Sequence, residues 1–154
     1  MRIVGLDVGE KRIGVAISDA TATLARPVGV LQAAGLNAQA LGRAVDEVRR
    51  LASEDDGVSM IVVGLPRRLD GSPNELTPRV QAFAAQLGDR TQLPIVLQDE
   101  RLSSREAESR LAGREKDWRA RKKQIDAAAA AIILQDYLDT RPGRPVLMAD
   151  DAEF

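Results

Sequence analysis

Two apolar runs rich in Ile and Val open the chain, residues 2–8 (RIVGLDV) and 11–18 (KRIGVAIS). They predict a β-hairpin, with Gly9-Glu10 as a two-residue type II′ turn. A third extended segment is expected near Val28–Leu31. Beyond it, Asn37 can cap a helix whose Leu41, Val45, Val48 and Leu51 recur at helical spacing and so share one face. After Gly57 the run Val58–Leu65 is almost unbroken in apolar side chains, the pattern of a strand covered on both faces, and Pro66 closes it. Helices are therefore expected on both sides of the sheet.

Ser72-Pro73-Asn74-Glu75 offers an N-cap serine, a proline at the first helical position and a glutamate three residues after the cap, with Gly88 suited to the helix stop. Residues 94–98 form a short strand pattern ending at Asp99-Glu100, and Ser103 with Glu106 makes a second capping box for a helix to about Leu111. Residues 114–123 hold six basic and two acidic side chains, a local net of +4, ahead of an alanine-rich helix expected from about Ile125 to Leu138. This order predicts an α/β fold with a mixed five-stranded sheet, opened by an antiparallel hairpin and continued through crossover units, with helices on both faces. Residues 1–140 read as one domain and 141–154 as a flexible acidic tail.

Composition narrows the chemistry. The 154 residues carry 22 basic and 23 acidic side chains, so no global basic excess draws in a polyanion, and any such contact rests on a local patch or a metal. With no Cys and no His, thiolate and imidazole chemistry are excluded, along with zinc-finger and iron–sulfur ligation. Carboxylate, amine and hydroxyl groups remain. No apolar stretch approaches the roughly 18 residues a membrane span needs. Residues 1–4 enter a strand pattern directly, so the expected address is the cytoplasm, without membrane contact.

Asp7, the Asp99-Glu100 pair and Asp126 stand apart from the surface charges because each adjoins a strongly apolar element. Alternation puts Ile3, Gly5 and Asp7 on one face of the first strand, so Asp7 points where an apolar residue belongs in a two-sided core. It can equally be a hairpin aspartate bonded to turn amides near Gly9. Glu100 follows the carboxyl end of a strand, where open α/β sheets place ligands, or is an ordinary solvated loop acid. Asp126 fits an N-cap of the alanine-rich helix, while Ala127–Ala131 would let that helix approach the sheet closely. Three converging carboxylates need cations between them, and hard oxygen donors alone select Mg²⁺ or Mn²⁺. Two such ions about 4 Å apart suit in-line displacement at a phosphodiester, which needs no histidine.

Four segments in order resemble one family: Asp7 to Ala16 (DVGEKRIGVA), Gly64-Leu65-Pro66 with Asp70-Gly71, Asp99 to Ser104 (DERLSS), and Lys123 with Asp126 to Ala129. They look like the successive motifs of the YqgF/RuvX family over residues 3 to about 138. The spacer Arg67-Arg68-Leu69 is more basic than the family pattern leads one to expect. The resemblance implies an RNase H-like fold, kinship with Holliday junction resolvases of the RuvC type, and a nuclease maturing the 5′ end of pre-16S rRNA. It also implies Asp7, Glu100 and Asp126 as catalytic, metal-binding acids. Branched DNA is the alternative substrate, and a resolvase making two symmetric cuts would be a homodimer.

Lys11, Arg12, Arg67, Arg68, Arg101 and the cluster Arg119, Arg121, Lys122 and Lys123 are the candidate nucleic-acid contacts, holding phosphates by charge, or else a solvated face. Trp118 could stack on a base or simply pack. Two rival readings stay open. One is phosphotransfer from ATP, whose cleft would need a second domain of this kind; the other is a binding module that keeps the fold and cuts nothing.

Overall fold

The computed structural model describes residues 1–99 and 118–141, the first eight of the second segment by backbone alone. Five strands form one sheet in the order β3-β2-β1-β4-β5. The strands are β1 (Arg2–Val8), β2 (Arg12–Ser18), β3 (Ala25–Gln32), β4 (Val58–Leu65) and β5 (Ile95–Asp99). β1, β2 and β3 pair antiparallel as a meander, whereas β4 joins β1, and β5 joins β4, in parallel. The expected mixed sheet is therefore present.

Three helices cover it: α1 (Ala38–Ala52), α2 (Thr77–Thr91) and α3 (Trp118–Thr140). Val4, Leu6 and Val8 of β1, with Ile61, Val63 and Leu65 of β4, pack against α1 and α2. Ile3, Ala16 and Val62 turn the other way, onto Ala130, Ile133 and Leu134 of α3. This two-sided division follows from the period of two along each strand. α1 is built as its sequence predicts: Asn37 Oδ1 accepts from the Ala40 amide at 2.9 Å, and Leu41, Val45, Val48 and Leu51 are buried. At about 1.5–3 kcal/mol per large apolar side chain removed from water, that face outweighs the cap, which is worth about 1 kcal/mol.

Four expectations are corrected. The hairpin turn is displaced by one residue: the Gly9 amide donates to the Arg12 carbonyl at 2.9 Å, making Glu10 and Lys11 the central pair, and Gly9 lies outside the left-handed region that a type II′ turn requires of it. α2 begins at Thr77, with Pro78 in its first turn, so Ser72 is not its cap and Pro73 instead forms an isolated bridge with Arg67. Gly88 lies inside the last turn of α2, and Gln92, at φ 60°, closes the helix. α3 starts seven residues before the expected Ile125, which puts Asp126 well within the helix instead of at its cap. The helix expected from Ser103 to Leu111 and the tail beyond residue 141 lie outside the described residues.

Candidate active site

Asp7, the penultimate residue of β1, lies on the face that carries Ile3 and Gly5, towards α3. In the antiparallel register Asp7 pairs with Gly14 of β2. A Cβ on Gly14 would lie 2.2 Å from the backbone carbonyl oxygen of Asp126, so only glycine lets α3 settle at this height on the sheet. Gly5 repeats the device further along β1, where a Cβ would lie 2.8 Å from Cβ of Leu134. These two close approaches hold α3 down and set Asp126 beside the strand pair that carries Asp7. The two acids are far apart in the sequence.

They share a cleft of about 300 Å³ whose lining residues are Asp7, Gly9, Glu10, Lys11, Arg12 and Asp126. Arg12 Nε stands 3.6 Å from Asp126 Oδ2, close enough for an ion pair and longer than a hydrogen bond. Both side chains are mostly shielded, with 28% of the Arg12 surface and 19% of the Asp126 surface exposed. The Glu10 carboxylate meets Arg79 of α2 at 3.1 Å, tying the hairpin turn to the opposite helical layer. Because Asp126 is well inside α3, the amides at the start of that helix lie too far along the chain for it to cap them, and the capping reading fails.

Of the residues singled out in the sequence, Asp7, Asp126, Lys11 and Arg12 line this cleft. Arg67 and Arg68 are exposed in the short loop that follows β4, the parallel neighbour of β1, and do not line it. That loop is ordered by an Arg68 amide bond to the Ser72 carbonyl at 2.9 Å and by Asp70, whose Oδ1 accepts from the Ser72 amide and hydroxyl. Glu100 and Arg101 lie outside the described residues, as do the side chains of Arg119, Arg121, Lys122 and Lys123. Among the described residues no group of three potential ligands is gathered, so the observed donor set is the carboxylate pair of Asp7 and Asp126. Oxygen donors from two aspartates, without a nitrogen or sulfur ligand, fit a hard divalent cation.

Sequence reasoning missed Glu10 and the part played by Gly14. Charged turn residues are commonplace and Glu10 carries no distinguishing signal. Gly14 did carry one, since a glycine inside an otherwise apolar strand marks a close backbone approach. Among the described residues no helix is long and apolar enough to cross a membrane.

Comparisons with known proteins show the family and the fold. The family model described as RuvX, Holliday junction resolvase, matches residues 1–140. A relative from Chloroflexus aurantiacus named "Putative pre-16S rRNA nuclease" is 45% identical over 143 residues, covering 93% of this chain and 90% of its own. One of the same name from Burkholderia ambifaria is 43% identical over 137 residues, 89% of this chain and 88% of its own. Among solved structures, Thermus thermophilus RuvC matches with a TM-score of 0.50 and 17% identity over 93% of this chain and 97% of that one. At that identity the likeness concerns the fold, which is RNase H-like. With a family match across residues 1–140 and relatives above 40% identity over about nine-tenths of the chain, the chain belongs to the RuvX (YqgF) family.

Proposed function

We propose that this protein is a metal-dependent endonuclease that hydrolyses phosphodiester bonds in nucleic acid, and that its substrate is the 5′ end of pre-16S rRNA. The observation that carries the reading is the meeting of Asp7 and Asp126 in one cleft across Gly14. The relatives named as pre-16S rRNA nucleases support the substrate.

In this reading Asp7 and Asp126, with Glu100 next in sequence to the end of β5, hold Mg²⁺ or Mn²⁺ in a two-metal arrangement. Metal bound there supplies Lewis-acid activation of the attacking water and stabilisation of the leaving oxygen. The chain's own contribution is position. β1 and α3 fix the two carboxylates on rigid elements, so neither has to be ordered when substrate arrives. Lys11 and Arg12 hold the phosphates flanking the scissile bond within the cleft. Arg67 and Arg68 after β4, Arg101, and Arg119, Arg121, Lys122 and Lys123 extend that hold along the strand, by charge and without reading bases.

Asp7→Asn and Asp126→Asn should each lower cleavage by at least about a hundredfold, since each removes a charge that only the metal-bound transition state uses fully. The assay sets a pre-16S rRNA 5′ precursor beside a four-way DNA junction, with Mg²⁺ or Mn²⁺, and circular dichroism checks that the variants stay folded. Cleavage of either substrate at the wild-type rate by a pure, folded variant removes that acid from the mechanism.

The second reading is resolution of branched DNA, favoured by the description of the matching family model as a Holliday junction resolvase. It requires a homodimer to make paired cuts. Junction cleavage by a dimer, with the rRNA precursor left intact, would establish it in place of RNA processing.

A further inference from the structure

Arg12 occupies an unusual position for a phosphate-binding residue, because its guanidinium is directed into the acidic cleft and its ion-pair partner is Asp126. The two partners differ in freedom. Asp126 belongs to α3, and its backbone is pressed against Gly14, so its Cα keeps its place on the sheet and only a short side chain of two torsions can move the carboxylate. Arg12 reaches the pair from the first position of β2 through a long, flexible side chain, 28% exposed, and can swing away while the strand stays paired. Their 3.6 Å separation is that of an electrostatic contact without a hydrogen bond to lock it.

A guanidinium here and a divalent cation on the carboxylates of Asp7 and Asp126 compete for the same negative oxygens. They also repel each other across a few ångströms of partly shielded cleft, where charges are screened less than in bulk water. We infer that Arg12 is a built-in rival of the metal: it neutralises Asp126 while the cleft holds no cation, and it is displaced outward, towards the substrate phosphate, when a divalent ion enters. This rests on the metal-site reading above and adds an order of events to it. In the absence of nucleic acid, Arg12 lowers the affinity for metal. A bound phosphodiester then gives the displaced guanidinium a new anionic partner, so metal and substrate should favour each other's binding. Arg12 is thereby a positioning residue that acts through Asp126 before it touches substrate.

The test is calorimetric titration of the full chain with Mn²⁺ alone, without nucleic acid and with no reading of cleavage. Arg12→Gln should bind Mn²⁺ more tightly than the wild type, by roughly twofold to fivefold, the range a partly exposed ion pair can supply. Arg12→Lys, which keeps the charge, should stay near the wild-type value. A gain in affinity is not something a damaged fold produces, so the direction of change separates the proposed role from a structural one. Measurable Mn²⁺ binding with Arg12→Gln equal to or weaker than wild type overturns the inference and leaves the metal site standing. Failure of Mn²⁺ to bind the wild type and both variants overturns the metal site as well.

Discussion

A methyl group on residue 14 would sit 2.2 Å from the Asp126 carbonyl, far inside van der Waals contact, and the obstacle is helix backbone. Relief would require α3 to rise from the sheet, carrying Asp126 away from Asp7. Gly14→Ala is therefore expected to cost at least about 1–3 kcal/mol in urea unfolding and to depress cleavage together with stability. Gly42→Ala in α1 makes the contrast: no atom lies within 4 Å of its missing Cβ, so the change should stabilise by about 0.5–1 kcal/mol through helix propensity. At this scale the sequence was legible where a residue broke its local pattern. Asp7 violated the apolar alternation of β1 and could be singled out for that reason. Asp126 matched a familiar pattern, the acidic cap, and its position became clear only once α3 proved to begin at Trp118. Glu100, the third acid of the family motif, lies outside the described residues.

The elements follow the hydrophobic pattern closely and the capping patterns less so. β4 has the bounds that its apolar run implies, and α1 carries its buried stripe and its asparagine cap where expected. The start of α2 departs because two prolines, Pro73 and Pro78, could each open a helix, and tertiary contacts decide between them. Thr77 is 4% exposed, its hydroxyl donates to the Pro66 carbonyl and accepts from the Asn74 amide, and Asn74 Oδ1 accepts from the Leu76 and Thr77 amides. The Asn74 bonds are a local Asx pattern, whereas the Thr77–Pro66 bond joins the end of β4 to the first turn of α2, which no local pattern encodes. Thr77→Val keeps the shape and removes the hydroxyl, leaving buried polar groups without their bonds at an expected cost of about 1–3 kcal/mol. Ser72→Ala, which a true N-cap would feel at about 1 kcal/mol, should fall within about 0.5 kcal/mol of wild type. Chemical denaturation of the two variants side by side decides which residue opens the helix.

Across the whole molecule, the parallel trio β1, β4 and β5 points its carboxyl ends to one edge of the sheet, and the acidic cleft and the Arg67–Arg68 loop share that edge. With a formal charge of -1 the molecule has no average field to attract nucleic acid, so binding depends on these local cations. Arg67→Ala combined with Arg68→Ala should weaken binding and reduce the slope of log affinity against log salt by about 1–2, measured by fluorescence anisotropy from low to moderate salt. An unchanged slope would place the phosphates elsewhere. The mixed sheet with helices on both faces was legible from element order and from the doubly buried β4. The height of α3 above the sheet was not, because it depends on two glycines in separate strands meeting one helix.

That helix also gives the protein a timetable. Asp7 is translated well before Asp126, and the same later segment supplies the cover for Ile3, Ala16 and Val62. A polypeptide still being synthesised thus has one bare sheet surface and half of its acidic pair. Closure of the cleft must wait for α3 to emerge and dock on β1 and β2.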